Sequence, residues 1–142
     1  MDTAFLKVDP NNRKWHLIDA EGVPVGRLAA RAAGILMGKN KPIWSPHIDC
    51  GDHVIVVNAS KAYVTGKKFT DKIYYSYSGY NGGLKEVPFR RLRLRHPERI
   101  IEKAIWGMLP KNKLGRQIYR KLKVYAGAEH PHGAQTPQTV TF

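Results

Sequence analysis

The chain has 142 residues, of which 42% are apolar and 25% are charged, so its composition predicts a folded domain and excludes a disordered basic tail. Its 24 Lys and Arg residues outnumber its 11 Asp and Glu residues, which gives a formal net charge of +13. A compact domain with this surplus repels itself. The surplus therefore indicates a polyanionic partner, either nucleic acid or an anionic membrane surface.

Two features argue against the membrane. No run approaches the roughly 18 apolar residues that a spanning helix needs. The first residues, MDTAFLKVDPNNRK, contain an acid at Asp2 and no long apolar block, unlike a signal peptide. The single cysteine, Cys50, precludes an intramolecular disulfide and suits a reducing compartment. We therefore expect a soluble intracellular protein that binds a polyanion, without a membrane partner.

The N-terminal half predicts an α/β unit. Residues 1–14 are polar and are expected to form an irregular arm, followed by a strand at Trp15–Asp19 and a helix at Val25–Met37 that ends at Gly38. The continuous apolar run at 53–58 is typical of a strand covered on both faces. A strand, a helix and a buried strand imply a crossover unit in a parallel or mixed sheet. Further strands are predicted at 62–65 and at Ile73–Tyr77.

The C-terminal half predicts two or three helices and a tail. The sequence His96-Pro97-Glu98 is a favourable helix start, because proline suits the first turn and an acid suits its dipole. That helix should end before Pro110, and another should span 114–123. Residues 128–142 are rich in Pro, His, Gln and Thr and are expected to be extended. The whole chain, 1–142, is predicted to be one domain.

The segment 107–127 combines dense positive charge with apolar residues. On a helical wheel, Leu114 and Ile118 share one side and Arg116 and Arg120 the other. Like charges four residues apart cost an isolated helix roughly 0.2–0.5 kcal/mol, and no acid lies between Glu102 and Glu129 to pair with them. A solvated amphipathic face is the simpler reading, but bound phosphates would relieve the repulsion. We therefore interpret this segment as a folded clamp for a nucleic-acid backbone.

A second basic stretch lies between residues 66 and 95. It contains eight cations, two acids and several interleaved aromatic residues. Alternation along a strand would send Tyr75 and Tyr77 to one side and Tyr74 to the other. Some of these rings are expected in the core, and others could stack on bases.

Enzymatic alternatives have weak support. The pattern His47-x₂-Cys50-x₂-His53 superficially resembles a zinc ligand set. The run from Gly34 to Lys39 is one residue short of a phosphate-binding loop and lies at the wrong end of a helix. A metal- or nucleotide-dependent enzyme acting on nucleic acid, and a free-standing DNA-binding protein, remain the alternative hypotheses.

Several collinear motifs resemble the family of ribosomal protein thirteen of the large subunit, in its bacterial form. They cover about residues 15–138 and include Gly26-Arg27-Leu28-Ala29, Val64-Thr65-Gly66-Lys67-Lys68, Asp71-Lys72-Ile73-Tyr74, His96-Pro97-Glu98-Arg99, Gly107-Met108-Leu109-Pro110-Lys111, Leu114-Gly115-Arg116 and Leu122-Lys123-Val124-Tyr125-Ala126-Gly127. Cys50 and Trp106 depart from the residues expected at those places, and Trp106 is therefore a candidate for a lineage-specific contact.

The resemblance implies a three-layer α/β/α domain with basic C-terminal helices and an extended tail. It also implies a non-enzymatic protein of the cytoplasmic bacterial-type ribosome, without a cofactor, metal or small-molecule substrate. Its expected partners are large-subunit rRNA and neighbouring large-subunit proteins, and its expected role includes early subunit assembly. The implied rRNA contacts are Arg27, Arg31, Lys67, Lys68, Lys72, Lys85, Lys111, Lys113, Arg116, Arg120, Lys121 and Lys123.

Overall fold

A computed structural model describes residues 7–142, and these residues form an α/β domain. The strands of this part of the chain are β1 (Trp15–Asp19), β2 (His53–Val57), β3 (Ile73–Tyr77), β4 (Leu84–Pro88), β5 (Leu122–Val124) and β6 (Gln138–Val140). Its α-helices are α1 (Val25–Met37), α2 (Lys68–Asp71), α3 (Phe89–Arg95), α4 (Pro97–Met108) and α5 (Lys113–Tyr119). Within the predicted arm, a 3₁₀ turn spans Pro10–Asn12, and residues 1–6 lie outside the described residues.

The central sheet has four parallel strands in the order β5-β2-β1-β6. Its inner strand β2 is buried from Val54 to Val57, which explains why that stretch of sequence is apolar without interruption. Ile18 of β1 pairs with Val56 of β2 and with Val140 of β6. The predicted α/β class and the parallel sheet are confirmed.

The longer helices pack on one face of this sheet. Apolar residues recur along α1 at the spacing of a helix face, and that face packs against α4. The helix ends where Gly38 adopts a left-handed conformation with φ of 79°, as predicted. One buried cluster joins the sheet to α1, α4 and α5, with members Ile18, Val54, Val56, Leu28, Ala32, Leu36, Ile101, Ile105 and Ile118.

The C-terminal segment reaches the opposite face of the sheet. Because side chains alternate along a strand and Ile18 faces the helices, Trp15 points to the other side. There its indole stacks on His53 at 4.2 Å between ring centroids, and His132 lies 5.2 Å from the same ring. Tyr125 Oη and His132 Nε2 form a hydrogen bond of 2.7 Å. The layer beyond the sheet is therefore formed in part by the tail, whose strand β6 also extends the sheet.

Two local predictions are wrong. The helix predicted over 114–123 ends at Tyr119, because Leu122 enters β5 and pairs with Val54. The strand predicted over 62–65 is reduced to an isolated bridge between Tyr63 and Pro24. Two further elements have no counterpart among the predicted ones: strand β4, which pairs with β3 in an antiparallel hairpin, and the following helix α3.

Candidate nucleic-acid interface

The exposed cations of this domain are the candidate interface, and eleven of the twelve predicted contact residues are exposed. These are Arg27, Arg31, Lys67, Lys68, Lys72, Lys85, Lys111, Lys113, Arg116, Arg120 and Lys123. Within residues 7–142 none of the eleven forms an ion pair with an acid. The Lys and Arg residues of this region that do form ion pairs are Arg13, Lys41, Lys61 and Lys121. The candidate surface is thus positively charged without internal compensation.

Lys121 is the correction to the predicted set. Its side chain is only 4% exposed and forms an ion pair with Asp49. Its Nζ also donates hydrogen bonds to the carbonyl oxygens of Leu36, at 3.2 Å, and Gly51, at 3.0 Å. Burial lowers the pKa of Lys121, although the hydrogen bond to Asp49 opposes this shift. Since Lys121 is occupied in the interior, we remove it from the interface.

Asp49 lies in the loop of residues 39–52, and a second buried carboxylate, Asp52, lies in the same loop. Asp52 accepts hydrogen bonds from Lys41 Nζ at 2.6 Å and from the backbone NH of Lys14 at 3.1 Å, and it pairs with His16 Nε2 at 3.2 Å. Burial opposes the ionisation of Asp52, but these hydrogen bonds outweigh it and hold the pKa of the carboxyl below its ordinary value. The loop of residues 39–52 is therefore tied to both α1 and β1 by charged groups that face inward.

Helix α5 has a capped start and a buried face, and Arg116 and the following residue Arg120 lie on its exposed side. The side chain of Asn112 caps the helix by accepting a hydrogen bond of 2.8 Å from the backbone NH of Gly115. A Cβ atom at Gly115 would lie 1.8 Å from the carbonyl oxygen of Pro110, so the two segments approach as closely as only glycine permits. Ile118 is buried, and Arg116 and Arg120 are exposed.

A groove of about 660 Å³ lies between α4 and α5, which we call the α4–α5 groove. It is lined by Arg99, Glu102, Lys103, Trp106, Arg116, Tyr119 and Arg120. The rings of Trp106 and Tyr119 meet edge-on, with centroids 5.3 Å apart, and both side chains are half-buried. Burial and, secondarily, the Glu102 carboxylate raise the pKa of Tyr119, so its hydroxyl stays protonated. Trp106 thus forms part of a groove wall, in contact with α5.

A second groove of about 470 Å³ runs from β4 to α4 and shares Arg99 with the first. Lys85, Arg91 and Arg95 line it together with Arg99. The predicted set lacked Arg91, Arg95, Arg99 and Lys103. A signal for them was present in the sequence, because these four cations follow one another at intervals of four residues. We call these four residues the basic ridge.

The remaining candidates lie around the hairpin and α1. Lys72 Nζ and Lys103 Nζ lie 5.2 Å and 5.0 Å from the ring centroid of Tyr74, so this ring contacts one cation beside β3 and one on α4. Arg27 and Lys68 line one surface cavity of about 410 Å³, and Arg31 lines another together with Lys39. The two cations of α1, Arg27 and Arg31, therefore lie beside other lysines and do not line the α4–α5 groove.

The residues of the alternative metal hypothesis are not brought together. Cys50 is fully buried and its thiol donates a weak hydrogen bond to the carbonyl oxygen of Ile43 at 3.6 Å. His53 stacks on Trp15, and His47 Nδ1 lies in a hydrogen bond of 2.9 Å with Ser45 Oγ. In the described part of the chain, no three His, Cys, Asp or Glu side chains are arranged to hold a metal ion. No helix in residues 7–142 has the length and apolar character needed to cross a membrane.

The fold and its surface define a class: a small α/β domain with a parallel sheet and many exposed cations that have no carboxylate partner within residues 7–142. The model of the family described as Ribosomal protein L13 matches residues 13–131, and the chain belongs to that family. Three similar curated proteins are each named large ribosomal subunit protein uL13. The relative from Symbiobacterium thermophilum is 61% identical over 132 residues, which is 92% of each chain. The relative from Solibacter usitatus is 58% identical over 141 residues, and that from Aeromonas salmonicida is 55% identical over 140 residues, each covering 99% of both chains.

Proposed function

We propose that this chain is a structural constituent of the large ribosomal subunit that binds large-subunit rRNA and helps the subunit assemble. It would act in the cytoplasm within a bacterial-type ribosome, beside neighbouring large-subunit proteins, and without catalysing a reaction. Its bacterial relatives are similar to it along almost the whole chain, and their names support the location of this chain in the large subunit. The surface of the domain supports the binding of RNA.

The observation that carries the proposal is the separation of paired from unpaired cations. Arg13, Lys41 and Lys121 face inward and meet Asp49 or Asp52. In contrast, the eleven exposed candidates have no carboxylate partner within residues 7–142. An exposed cation without an acid nearby is free to neutralise a phosphate, and each neutralised phosphate releases condensed counterions.

The mechanism that follows is electrostatic positioning. Lys121 joins Asp49 of the loop of residues 39–52 to Leu36 of α1. The side chain of Asn112 caps the start of α5, and Ile118 packs that helix into the core. A rigid scaffold of this kind keeps its cations at fixed separations, so converging stretches of RNA backbone are fixed relative to one another. Phosphate contacts determine register and orientation, and only contacts to bases can add sequence preference.

The double substitution Arg116→Glu with Arg120→Glu tests the proposal. We expect it to abolish binding to large-subunit rRNA in a filter-binding assay and to leave the circular dichroism spectrum native-like. The matched control is Lys7→Glu with Lys61→Glu, because it changes the net charge equally at two exposed lysines outside the candidate set. We expect the control to lose much less affinity.

Two results would overturn the proposal. One is unchanged rRNA affinity in the Arg116→Glu/Arg120→Glu variant. The other is an affinity for duplex DNA equal to that for structured rRNA, which is the expectation for a free-standing DNA-binding protein. Sedimentation of a tagged chain with ribosomal particles in moderate salt tests the location directly, since the proposal requires co-sedimentation.

A further inference from the structure

The α4–α5 groove has features that phosphate binding alone does not require. A flat basic surface suffices to contact an RNA backbone, whereas this groove has two half-buried aromatic rings between its charged residues. Its volume of about 660 Å³ falls within the roughly 300–1,000 Å³ that is typical of sites for small ligands. The groove therefore fits a group the size of one nucleotide and is too small for a duplex.

The charges around the groove favour an anionic occupant. Four exposed cations line it: Arg99 and Lys103 from α4, Arg116 from α5 and Arg120 from the position after α5. Glu102 is the one acid among the lining residues, and within residues 7–142 its carboxylate forms no ion pair. An aromatic wall flanked by cations is the arrangement that stacks a base while holding its flanking phosphates.

We propose that the α4–α5 groove binds a single unpaired nucleotide of RNA, with the base against Trp106 and Tyr119 and the flanking phosphates on Arg116 and Arg120. This inference rests on the proposed function, and it adds the kind of RNA element that is bound. An unpaired base occurs in loops, bulges and single-stranded ends, where its faces and edges are accessible to side chains.

Glu102 gives the groove a preference among bases. A carboxylate accepts a hydrogen bond from the exocyclic amino group of cytosine, whereas uracil presents a carbonyl oxygen at the same position and would be repelled. Cytidine and uridine have nearly the same size and stack similarly. A comparison of these two pyrimidines therefore isolates the contribution of the Glu102 carboxylate.

The test uses the full chain and two single-stranded probes, hexacytidylate and hexauridylate, with a blunt RNA duplex as the third ligand. In a Trp15→Phe/Trp44→Phe background, Trp106 is the remaining tryptophan, and we expect hexacytidylate to quench its fluorescence saturably. Fluorescence anisotropy of the labelled probes should give tighter binding of hexacytidylate than of hexauridylate. Glu102→Gln should remove that difference, and it changes too few atoms to endanger the fold.

Trp106→Leu should weaken binding of hexacytidylate roughly tenfold, because stacking on one aromatic side chain contributes on that order. The matched control is Trp44→Leu, since both tryptophans have a lysine beside the ring: Lys111 Nζ lies 4.7 Å from the centroid of Trp106, and Lys39 Nζ lies 5.8 Å from that of Trp44. Trp44 is the more exposed of the two and lies outside the groove. We expect the control to bind normally. Unfolding midpoints of both variants separate a loss of the site from a loss of the fold.

Two results together would overturn the nucleotide site: Trp106→Leu binds hexacytidylate with unchanged affinity, and hexacytidylate does not quench Trp106 fluorescence. The groove would then be a contact site for a protein segment. Parallel filter binding of Arg116→Glu/Arg120→Glu to full-length rRNA distinguishes the two proposals. If that binding is lost while the hexamers show no preference and no quenching, the nucleotide inference fails and the proposed function stands. If the Arg116→Glu/Arg120→Glu variant still binds full-length rRNA as the wild type does, the proposed function fails.

Discussion

Lys121 and Asp49 form an ion pair in the interior of the domain, with side chains that are 4% and 6% exposed. Lys121 lies in the turn between α5 and β5, and Asp49 lies in the loop that follows α1. The pair therefore joins the base of the proposed RNA clamp to the centre of the fold. Removing one member would leave the other charge buried, which is costly in an environment that cannot solvate it.

The first prediction is that Lys121→Met destabilises the domain strongly. Breaking a buried pair from one side typically costs about 3–5 kcal/mol. We expect the lower part of that range, because Arg13 also contacts Asp49, at 3.1 Å. The measurement is the free energy of unfolding from urea titrations followed by circular dichroism.

Lys123→Met is the matched control for this prediction. Lys123 lies two residues further along the chain, in β5, but is exposed and unpaired within the described residues. Its substitution should change the free energy of unfolding by no more than about 0.5 kcal/mol. Equal stability of the Lys121→Met and Lys123→Met variants would contradict the structural role of Lys121.

The second prediction concerns acid and His53. Burial, assisted by the positive charges of Lys121 and Arg13, lowers the pKa of His53 from its ordinary value of 6.5. Above pH 6.5 the ring is neutral in both the folded and the unfolded chain. As the pH falls below 6.5, the unfolded chain binds the proton first, so the free energy of unfolding decreases until the folded-state pKa is reached.

His53→Phe should make this part of the pH profile flatter. The substitution keeps an aromatic ring against Trp15 and removes the titrating group. The measurement is urea unfolding between pH 7.5 and 5, monitored by tryptophan fluorescence. An identical slope in the wild type and in His53→Phe would refute the assignment of this pH dependence to His53.

The third prediction uses two glycines. Gly115→Ala should destabilise the domain by about 1–3 kcal/mol, because its Cβ would collide with the carbonyl oxygen of Pro110. Gly107→Ala in α4 is the control, since a Cβ there meets nothing within 4 Å and alanine is the better helix former. Thermal unfolding should show a lowered midpoint for the first variant and an equal or higher one for the second.

Much of the fold could be predicted from local patterns. The helix face of α1 and the apolar run of β2 are periodic signals that the tertiary structure only reinforces. The end of α5 could not be found in this way, because Arg120 and Lys121 continue a plausible helical pattern. The helix stops at Tyr119 because Leu122 pairs with Val54, and that contact joins residues far apart in the chain.

The candidate site was predicted less completely than the fold. A count of cations gives the sign of the surface but cannot show that Lys121 turns inward to meet Asp49, 72 residues away in the sequence. It also cannot show that Arg99 belongs to two adjoining grooves. The position of Trp106 against Tyr119 depended on how α5 packs on α4, which no periodicity in either helix determines.

The last prediction is that the basic ridge contributes to the salt dependence of RNA binding. The ridge residues Arg91, Arg95, Arg99 and Lys103 connect the groove at β4 with the α4–α5 groove. The logarithm of the binding constant falls as the logarithm of the salt concentration rises, and each lost phosphate contact reduces the magnitude of this slope by about 1. Arg95→Gln with Arg99→Gln should therefore reduce the magnitude of this slope for large-subunit rRNA by about 2. Lys7→Gln with Lys61→Gln should leave it nearly unchanged.

Filter binding at several potassium chloride concentrations gives the slopes of both double variants. If the two double variants have equal slopes, the ridge does not contact phosphates, and binding is then confined to the cations named from the sequence.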